Sequence, residues 1–259
     1  MAFSATDRRS LTRPVHVVVL AAGCGSRLGV LGDGTPKWLL RVAGRTIADR
    51  QLEAIAEAAG CVASVRVVVG HAAAAIELEL RGRAQDVGVV ANPEFAELNN
   101  WWSLLRALRE LPDDGPVVVV NADLLADPAH VRGFLEAAAA TDAEALLAVD
   151  LVKQLTAESM KVALTGEETL ARIGKAGVDD AAGEYVGMLM ARGGALRALR
   201  AVLEGFVGHA DAANEWYEGA VGRTAADGTA WRVWPMPPGG WVEIDDDADL
   251  AAAEALAAL

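Results

Sequence analysis

Two glycines and two cations near the N-terminus have the types and spacing of a phosphate-binding loop. An apolar run ending at Ala22 is followed by Gly23 and Gly25 in a short turn, then by Arg27, and ten residues later by Lys37. Backbone N–H groups in a glycine turn approach an anion closely because no Cβ intervenes. Arg27 can donate forked hydrogen bonds to phosphate oxygens, and Lys37 adds a movable point charge. The segment therefore predicts binding of a phosphate group.

The same segment differs from three better-known patterns. GxxxxGK[ST] is absent, and GxGxxG is not matched because Leu28 stands where the third glycine would be. An export signal ending in a lipidated Cys24 would need an apolar stretch of roughly 7–15 residues, whereas His16 interrupts this one. Residues 17–22 are uniformly apolar and rich in valine, which predicts a buried strand that leads into the loop.

The elements that must position these groups alternate between strands and helices. Further strands are predicted at residues 65–70, 87–92 and 116–123, and helices at 46–59, 72–80, 99–111 and 130–140. Thr46 is a plausible N-cap of the first helix, and Gly60 is its predicted stop. The alternation predicts an α/β layered fold with a mixed, mostly parallel central sheet.

Beyond residue 143 the rhythm changes. Strand-like pieces ALLAVD, MKVALT, EYVGMLMA, WRVWPM and WVEI are separated by polar turns, with helices predicted at residues 194–204, about 214–222 and 247–259. No linker rich in proline, glycine or serine separates the two parts. We therefore expect residues 14–259 to form one domain, preceded by a flexible tail at residues 1–13.

Five motifs in chain order resemble the nucleotidyltransferases that activate phosphorylated sugars and alcohols. They are LAAGxGxRL with TPKxLL, NPEFAELNNWWSL, VVVVNAD, the pair ESMKV and GEYVGM, and WVEIDDDADL. The asparagine-rich motif resembles the choline-phosphate and phosphonate cytidylyltransferase branch. The resemblance implies a GT-A-like, Rossmann-like fold, with a nucleotide-binding half at residues 14–142 and an acceptor-binding half at 143–259. It also implies Mg²⁺-dependent transfer of a nucleotide to a phosphate or phosphonate, with release of pyrophosphate.

The resemblance also implies roles for individual residues of the nucleotide site. The nucleotide-binding set is Leu20, Ala21, Ala22, Gly23, Gly25, Ser26, Arg27, Lys37, Asn92, Asn99, Ser103 and Ala122. Arg27, Lys37 and Lys161 are the catalytic cations, with Lys161 near the α-phosphate or the acceptor phosphate. Two of these roles have plain alternatives: Asn99 could be only the N-cap of the following helix, and Lys161 a solvated residue of an edge strand.

Asp123 and Asp245 are the metal ligands that the resemblance implies. Mg²⁺ prefers one or two carboxylates together with phosphate oxygens, and ligands of open α/β sheets lie beyond the carboxyl ends of the strands. Acidic residues also favour the start of a helix. In the motif match Asp247 takes the helix N-cap, although the sequence leaves open which of Asp245 and Asp247 is the second ligand.

Glu184, Trp216, Tyr217 and Glu218 are the predicted acceptor contacts. Aromatic faces beside carboxylates suit an acceptor that bears an ammonium group, such as phosphocholine or 2-aminoethylphosphonate. Trp216 and Tyr217 could equally be ordinary helix packing.

Charge and composition exclude several classes of protein. The 259 residues carry a formal net charge of -13, so a nucleic-acid surface is not expected. The apolar runs fall short of the ~18 residues of a membrane helix, and two cysteines do not make a disulfide framework. We expect a cytoplasmic enzyme that binds Mg²⁺, CTP and a small acceptor, with no nucleic acid or membrane partner. The oligomeric state is open, a homodimer included.

The sequence thus predicts transfer of CMP from CTP to a small phosphorylated alcohol or phosphonate. The alternatives are an inositol-1-phosphate cytidylyltransferase, a sugar-1-phosphate nucleotidyltransferase, and a non-catalytic homologue that senses nucleotides. The last class usually lacks the loop arginine, the TPK lysine or a metal aspartate, and all of these are present here.

Overall fold

The computed structural model describes residues 12–24, 34–83, 86–113, 115–166 and 168–257. The strands, in chain order, are β1 (Val15–Ala21), β2 (Arg41–Val42), β3 (Arg45–Thr46), β4 (Val62–Val69), β5 (Val87–Ala91), β6 (Val117–Asn121), β7 (Leu124–Ala126), β8 (Ala145–Asp150), β9 (Lys161–Thr165), β10 (Thr169–Gly174), β11 (Gly183–Ala191), β12 (Trp231–Pro235) and β13 (Trp241–Glu243). The helices are α1 (Ile47–Glu57), α2 (Ala73–Arg81), α3 (Asn100–Arg109), α4 (Pro128–Ala140), α5 (Gly193–Glu204), α6 (Tyr217–Ala226) and α7 (Asp247–Ala257).

A nine-stranded mixed sheet forms the centre of the described part of the chain, in the order β5-β4-β1-β6-β11-β8-β12-β10-β9. Strands β5, β4, β1 and β6 run parallel, and β11 joins them antiparallel to β6. Because β6 and β11 are paired, one sheet runs through both predicted halves. The predicted α/β fold with a mixed central sheet is confirmed.

Helices cover both faces of this sheet. Val15, Val17 and Val19 of β1 face the layer that contains α1, α2, α4 and α7, whereas Val18 faces the layer of α3, α5 and α6. All four valines are fully buried, and burial of such a side chain contributes about 1.5–3 kcal/mol. Burial on both faces explains why β1 is uniformly apolar rather than alternating.

The predicted helices and strands all occur close to their predicted positions. The N-cap at Thr46 forms as a capping box, in which Thr46 and Asp49 each accept a backbone hydrogen bond from the other. Helix α1 ends at Glu57 rather than at Gly60, because a 3₁₀ turn over Ala59–Cys61 follows it. Strands β2, β3, β7 and β10 were not predicted.

Two further expectations concern the ends of the chain and its surface. Most of the predicted tail lies outside the described residues, but the backbone N–H of Arg13 donates to the carbonyl of Ala139. No helix in the described ranges combines the length and the apolarity needed to cross a membrane. Of the tryptophan pair in α3, Trp101 is buried and Trp102 is half-buried, as the helical spacing requires.

Glycines let strand β11 pass close to its neighbours. Gly187 has a φ of +83°. It lies where the pairing register of β11 with β8 shifts, between Tyr185 and Leu189. A Cβ at Gly187 would lie 3.0 Å from the Cβ of Asn121, near the end of β6. At the start of β11, a Cβ at Gly183 would lie 2.4 Å from the carbonyl oxygen of Asp150.

Gly183→Ala should therefore destabilise the fold. The atom in the way is backbone, so β11 must move away from β8, which we expect to cost about 1–3 kcal/mol of unfolding free energy. Urea denaturation measures this. Gly60→Ala is the matched control, because an added Cβ there meets open space. Equal stability of the two variants would contradict the close approach of β11 to β8.

Candidate active site

A cleft of about 300 Å³ opens beyond the carboxyl ends of β1 and β6. Most of the residues predicted for the site line it: Leu20, Ala21, Ala22, Gly23, Lys37, Asn99, Ser103, Ala122, Asp123, Trp216, Glu218 and Asp245. Residues from distant parts of the sequence therefore meet at one edge of the sheet. This is where open α/β sheets bind their ligands.

Three carboxylates meet in this cleft. Asp123 follows β6, Glu243 ends β13, and Asp245 lies two residues further on; one oxygen of each lies within 4.8 Å of the others. Pairing of β13 with β7 brings them together, since Glu243 stands opposite Leu124 and the N–H of Ile244 donates to the carbonyl of Asp123. The sequence prediction missed Glu243. Its signal was the spacing of two from Asp245, which places both side chains on one side of an extended segment.

Burial and the negative charge of the cluster raise the pKa values of Glu243 and Asp123. Burial, and then the negative charges of Asp123 and Asp245, raise the pKa of Glu243 to about 8. Burial likewise raises the pKa of Asp123, although Lys37 opposes the shift. The Nζ of Lys37 lies 2.5 Å from Oδ1 of Asp245 and 3.5 Å from Oδ2 of Asp123. Burial lowers the pKa of Lys37, but these carboxylates raise it by more.

The cluster fits a divalent cation. Oδ1 of Asp123 is buried and has no hydrogen-bond partner among the described residues. One lysine cannot neutralise three carboxylates, and oxygen donors of this kind are those that Mg²⁺ prefers. Asp123, Glu243 and Asp245 are therefore the residues that would hold Mg²⁺.

A buried glutamine fixes the turn that carries Asp123. Nε2 of Gln51, in α1, donates to the carbonyl oxygens of Asn121 at 2.9 Å and Leu124 at 2.8 Å. Its Oε1 accepts a hydrogen bond from Nε1 of the buried Trp38 at 2.9 Å. Because Trp38 directly follows Lys37, one network places both the aspartate and the lysine.

The start of α7 corrects the predicted role of Asp247. The N-cap is Asp246, whose Oδ1 accepts hydrogen bonds from the N–H groups of Ala248 and Asp249. Asp249 reciprocates by accepting from the N–H groups of Asp245 and Asp246. Asp247 is the exposed first residue of the helix and stands outside the carboxylate cluster, so the N-cap prediction was one residue too late. Adjacent aspartates cap equally well by type, and only the chain geometry decides between them.

The predicted acceptor residues separate into two groups. Trp216 and Glu218 line the cleft, with Trp216 38% exposed and Glu218 buried. Tyr217 is fully buried, so its predicted contact with the acceptor is wrong in this structure. Its hydroxyl donates to Oδ1 of Asn121 at 2.8 Å and is 2.9 Å from the hydroxyl of Tyr185.

The three candidate asparagines have different roles: one is buried in the core, and two line the cleft, one of which also caps a helix. Asn99 caps α3 through its own Oδ1 and also lines the cleft. Asn92 is buried and reaches the cleft only through Ser103, whose Oγ lies 2.8 Å from its Nδ2. Asn100, also a sequence candidate for base and ribose contacts, lines the cleft; its Oδ1 accepts from the N–H of Tyr217, and its Nδ2 is 3.4 Å from Oε2 of Glu218.

Lys161 and Glu184 do not line the described part of the cleft. The ammonium of Lys161 donates to the carbonyl of Lys175 at 2.8 Å. Glu184 is buried, with Oε2 3.0 Å from Nζ of Lys153. Gly25, Ser26 and Arg27 lie outside the described residues.

Residues 17–213 match the MobA-like NTP transferase domain. The chain belongs to this family. The resemblance predicted from the five motifs, to nucleotidyltransferases and their phosphonate and choline-phosphate cytidylyltransferase branch, is confirmed. The matched segment includes Asp123, Lys37 and the glycine turn, whereas Glu243 and Asp245 follow it.

Three proteins similar to this MobA-like transferase differ in the nucleotide and the acceptor that their names give. The chain is 33% identical over 251 residues to a CMP-5'-(3-aminopropyl)phosphonate synthase of Streptomyces rubellomurinus. The aligned region covers 93% of this chain but 38% of the length of that relative. The chain is 30% identical to an N-acetylmuramate alpha-1-phosphate uridylyltransferase of Caulobacter vibrioides, covering 93% of this chain and 96% of the relative. The structure of a CTP:phosphocholine cytidylyltransferase from Streptococcus pneumoniae superimposes with a TM-score of 0.73 at 18% identity, covering 94% of this chain and 99% of that one.

Neutralising Asp123 or Asp245 should weaken metal binding selectively. We expect Asp123→Asn and Asp245→Asn each to lower Mg²⁺ affinity by at least about tenfold in calorimetric titrations with CTP present. Thermal unfolding should change little, because two carboxylates remain beside Lys37. Asp247→Asn, two residues away and exposed, is the control. Loss of Mg²⁺ affinity in Asp247→Asn, with Asp245→Asn unaffected, would contradict this assignment of the metal site.

Proposed function

We propose that this MobA-like transferase moves CMP from CTP to a small acceptor that carries a phosphonate or phosphate at one end and an ammonium group at the other. The observation that carries the proposal is the buried carboxylate of Glu218 in the same cleft as the Asp123, Glu243 and Asp245 cluster. The Streptomyces relative, named for CMP transfer to an aminoalkyl phosphonate, supports the same class of acceptor.

The reaction needs electrostatic positioning more than acid–base chemistry. An acceptor oxyanion attacks the α-phosphorus, the bond from that phosphorus to the bridging oxygen breaks, and pyrophosphate leaves with the electron pair. The nucleophile is already deprotonated, so the main barrier is repulsion between two anions. Mg²⁺ held by the carboxylate cluster would neutralise phosphate charge during the transfer. Lys37, beside that cluster, is positioned to contact the phosphates as well.

Glu218 is suited to an ammonium group. Burial, to which the charge of Asp123 adds, raises the pKa of Glu218 to about 7. A buried carboxylate without a nearby positive charge binds a cation favourably, because attraction to the cation replaces the hydration that the carboxylate lost on burial. Asn100 donates to Glu218 and so directs the carboxylate.

Polar side chains in the cleft suit CTP as the nucleotide. Ser103 and Asn99 line the cleft next to Ala22 and Gly23, and Asn92 lies behind Ser103. A serine hydroxyl and an amide can meet the donors and acceptors of a pyrimidine edge. We propose these residues as the base and ribose contacts.

A second candidate is uridylyl transfer to a sugar 1-phosphate. The Caulobacter relative favours it, since this chain spans 96% of that protein's length but 38% of the Streptomyces relative. A sugar phosphate, or inositol 1-phosphate, offers hydroxyl groups and no cation. Glu218 would then accept hydrogen bonds rather than form an ion pair.

Pyrophosphate release across a matrix of substrates tests these functions against each other. Four NTPs are crossed with phosphocholine, 2-aminoethylphosphonate, 3-aminopropylphosphonate, inositol 1-phosphate and N-acetylmuramate 1-phosphate, with Mg²⁺ present. We expect the highest kcat/KM for CTP with an ammonium-bearing acceptor. The highest value for UTP with the sugar phosphate would contradict the proposal in favour of the second candidate.

Glu218→Gln should discriminate between acceptors by charge. With the acceptor 2-aminoethylphosphonate we expect the variant's acceptor KM to rise about ten- to hundredfold, as for loss of a charged hydrogen bond, while the KM of CTP changes little. Ethylphosphonate, which lacks the ammonium but keeps the phosphonate, should compete with the acceptor equally well in the wild type and the variant. Glu215→Gln, on the exposed side and paired with Arg223, is the control.

The pH dependence of the acceptor's kcat/KM provides a second test of the role of Glu218. Because its pKa is raised from 4.5 to about 7, the Glu218 carboxylate should protonate as pH falls through 7. The acceptor's kcat/KM, measured with 2-aminoethylphosphonate, should then fall relative to the affinity for ethylphosphonate, since only the first needs the charged carboxylate. The ratio should be flat with pH in Glu218→Gln. A pH-dependent ratio in that variant would assign the titration to another group.

A further inference from the structure

Two lysines line the described part of the cleft, Lys37 and Lys175. Lys37 is tied to the metal-side carboxylates, with its ammonium 2.5 Å from Asp245 and 3.5 Å from Asp123. Lys175 follows β10 directly, and its ammonium lies 5.2 Å from the centre of the Trp216 ring. The two positive charges therefore have different partners in the cleft: Lys37 the carboxylate cluster, and Lys175 the ring of Trp216.

Trp216 was predicted to present its face to an ammonium group of the acceptor. In the structure the side chain of Lys175 lies over that ring. A tryptophan face that holds one ammonium stabilises it by about 0.5–2 kcal/mol, and a second cation at the same face would be repelled. The ring is thus a support for Lys175, and Glu218 is the group that remains for the acceptor's own cation.

Lys161 fixes the position of Lys175. The ammonium of Lys161 donates to the carbonyl oxygen of Lys175 at 2.8 Å, across the β9–β10 pair. That contact holds the backbone from which Lys175 extends into the cleft. The motif match placed Lys161 near the α-phosphate or the acceptor phosphate, but Lys175 is the residue that lines the described cleft.

The ionic partner of Lys175 is weakly bound. Its Nζ lies 3.1 Å from Oε2 of Glu158, whose side chain is 74% exposed. An exposed pair of this kind contributes roughly 0–1 kcal/mol. A dianionic phosphonate in the cleft would bind the Lys175 ammonium more strongly than Glu158 does, because it carries more negative charge and lies in a less solvated environment.

We propose that Lys175 binds the phosphonate or phosphate group of the acceptor, with Trp216 supporting its ammonium and Lys161 positioning its backbone. This inference rests on the proposed function. Lys175 and Glu218 both line the cleft beside Trp216, so the two ends of a zwitterionic acceptor each meet a group of opposite charge. The arrangement selects short acceptors that bear an anion and a cation.

The test compares variants of the two lysines. Lys175→Met keeps most of the apolar stem over Trp216 and removes the charge, whereas Lys175→Arg keeps the charge. Lys161→Met removes the positioning hydrogen bond. The readouts are the KM values of CTP and of the acceptor, here 2-aminoethylphosphonate, and the dissociation constant of ethylphosphonate by calorimetry with Mg²⁺ and CTP present. Arg172→Met is the control, because Arg172 is an exposed residue of β10 that pairs with Asp180.

We expect Lys175→Met to weaken both phosphonates about ten- to hundredfold, the range for loss of a charged contact, and to change the KM of CTP less than about threefold. Lys175→Arg should recover most of the loss. Lys161→Met should weaken both phosphonates by a smaller factor, and Arg172→Met should have no effect.

Three results would overturn the proposal. The first is unchanged binding of both phosphonates by Lys175→Met. The second is tighter binding of 2-aminoethylphosphonate with ethylphosphonate unchanged, which would show that Lys175 competes with the acceptor's ammonium for Trp216. The third is a larger loss of ethylphosphonate binding in Lys161→Met than in Lys175→Met.

Failure of the proposed function has a separate signature. If the wild-type protein binds ethylphosphonate but releases no pyrophosphate with any phosphonate acceptor, the proposed reaction is wrong. The calorimetric comparison of Lys175→Met with wild type still decides the role of Lys175 in that case. A wild-type protein that does not bind ethylphosphonate excludes the inference itself.

Discussion

The repulsion among buried and half-buried carboxylates is the constraint on which this structure depends. Asp123, Glu218, Glu243 and Asp245 line one cleft of about 300 Å³, and Lys37 and Lys175 are the cations that the described residues bring to it. Burial raises the pKa of Glu218 to about 7 and, with neighbouring charges, that of Glu243 to about 8. A protein retains such an unfavourable arrangement where a ligand supplies the missing positive charge. A divalent cation at one end and an ammonium group at the other would supply it.

The fold holds these groups together through contacts that lie outside the cleft. Pairing of β7 with β13 joins the Asp123 turn to Glu243, and Gln51 ties that turn to α1. On the opposite side Tyr217, in the core, donates to Asn121 and so links the start of α6 to the end of β6. A backbone strand pairing and two buried side chains with fixed partners, Gln51 and Tyr217, thus keep mutually repelling carboxylates in place.

Features that depend on neighbouring residues in the chain were predicted correctly from the sequence. Features that depend on contacts between distant segments were not, unless the motif resemblance implied them. Strand β1 and the N-cap at Thr46 follow from an apolar run and a cap residue, and the pairing of Asp123 with Asp245 in one cleft follows from the motif resemblance. Glu243 was missed because its spacing of two from Asp245 indicates a shared side of the segment only if the segment is extended there, which the pairing of β13 with β7 decides. Tyr217 and Trp216 are adjacent and of similar type, yet one is core and the other lines the cleft, as the rotation of α6 requires. The sequence predicted a site role for Lys161 and did not consider Lys175, which lines the cleft, because β9 and β10 form a pair that the sequence did not predict.

Phosphorus NMR of the reaction mixture tests the central claim most directly, because it detects the new bond rather than the loss of a substrate. With CTP, Mg²⁺ and 2-aminoethylphosphonate or 3-aminopropylphosphonate, the account predicts a coupled pair of resonances from a phosphonate–phosphate anhydride, together with pyrophosphate in equal amount. Asp123→Asn and Glu218→Gln should each diminish that pair under the same conditions. An unchanged phosphonate resonance alongside consumption of CTP, or appearance of the anhydride only with UTP and a sugar 1-phosphate, would contradict the account.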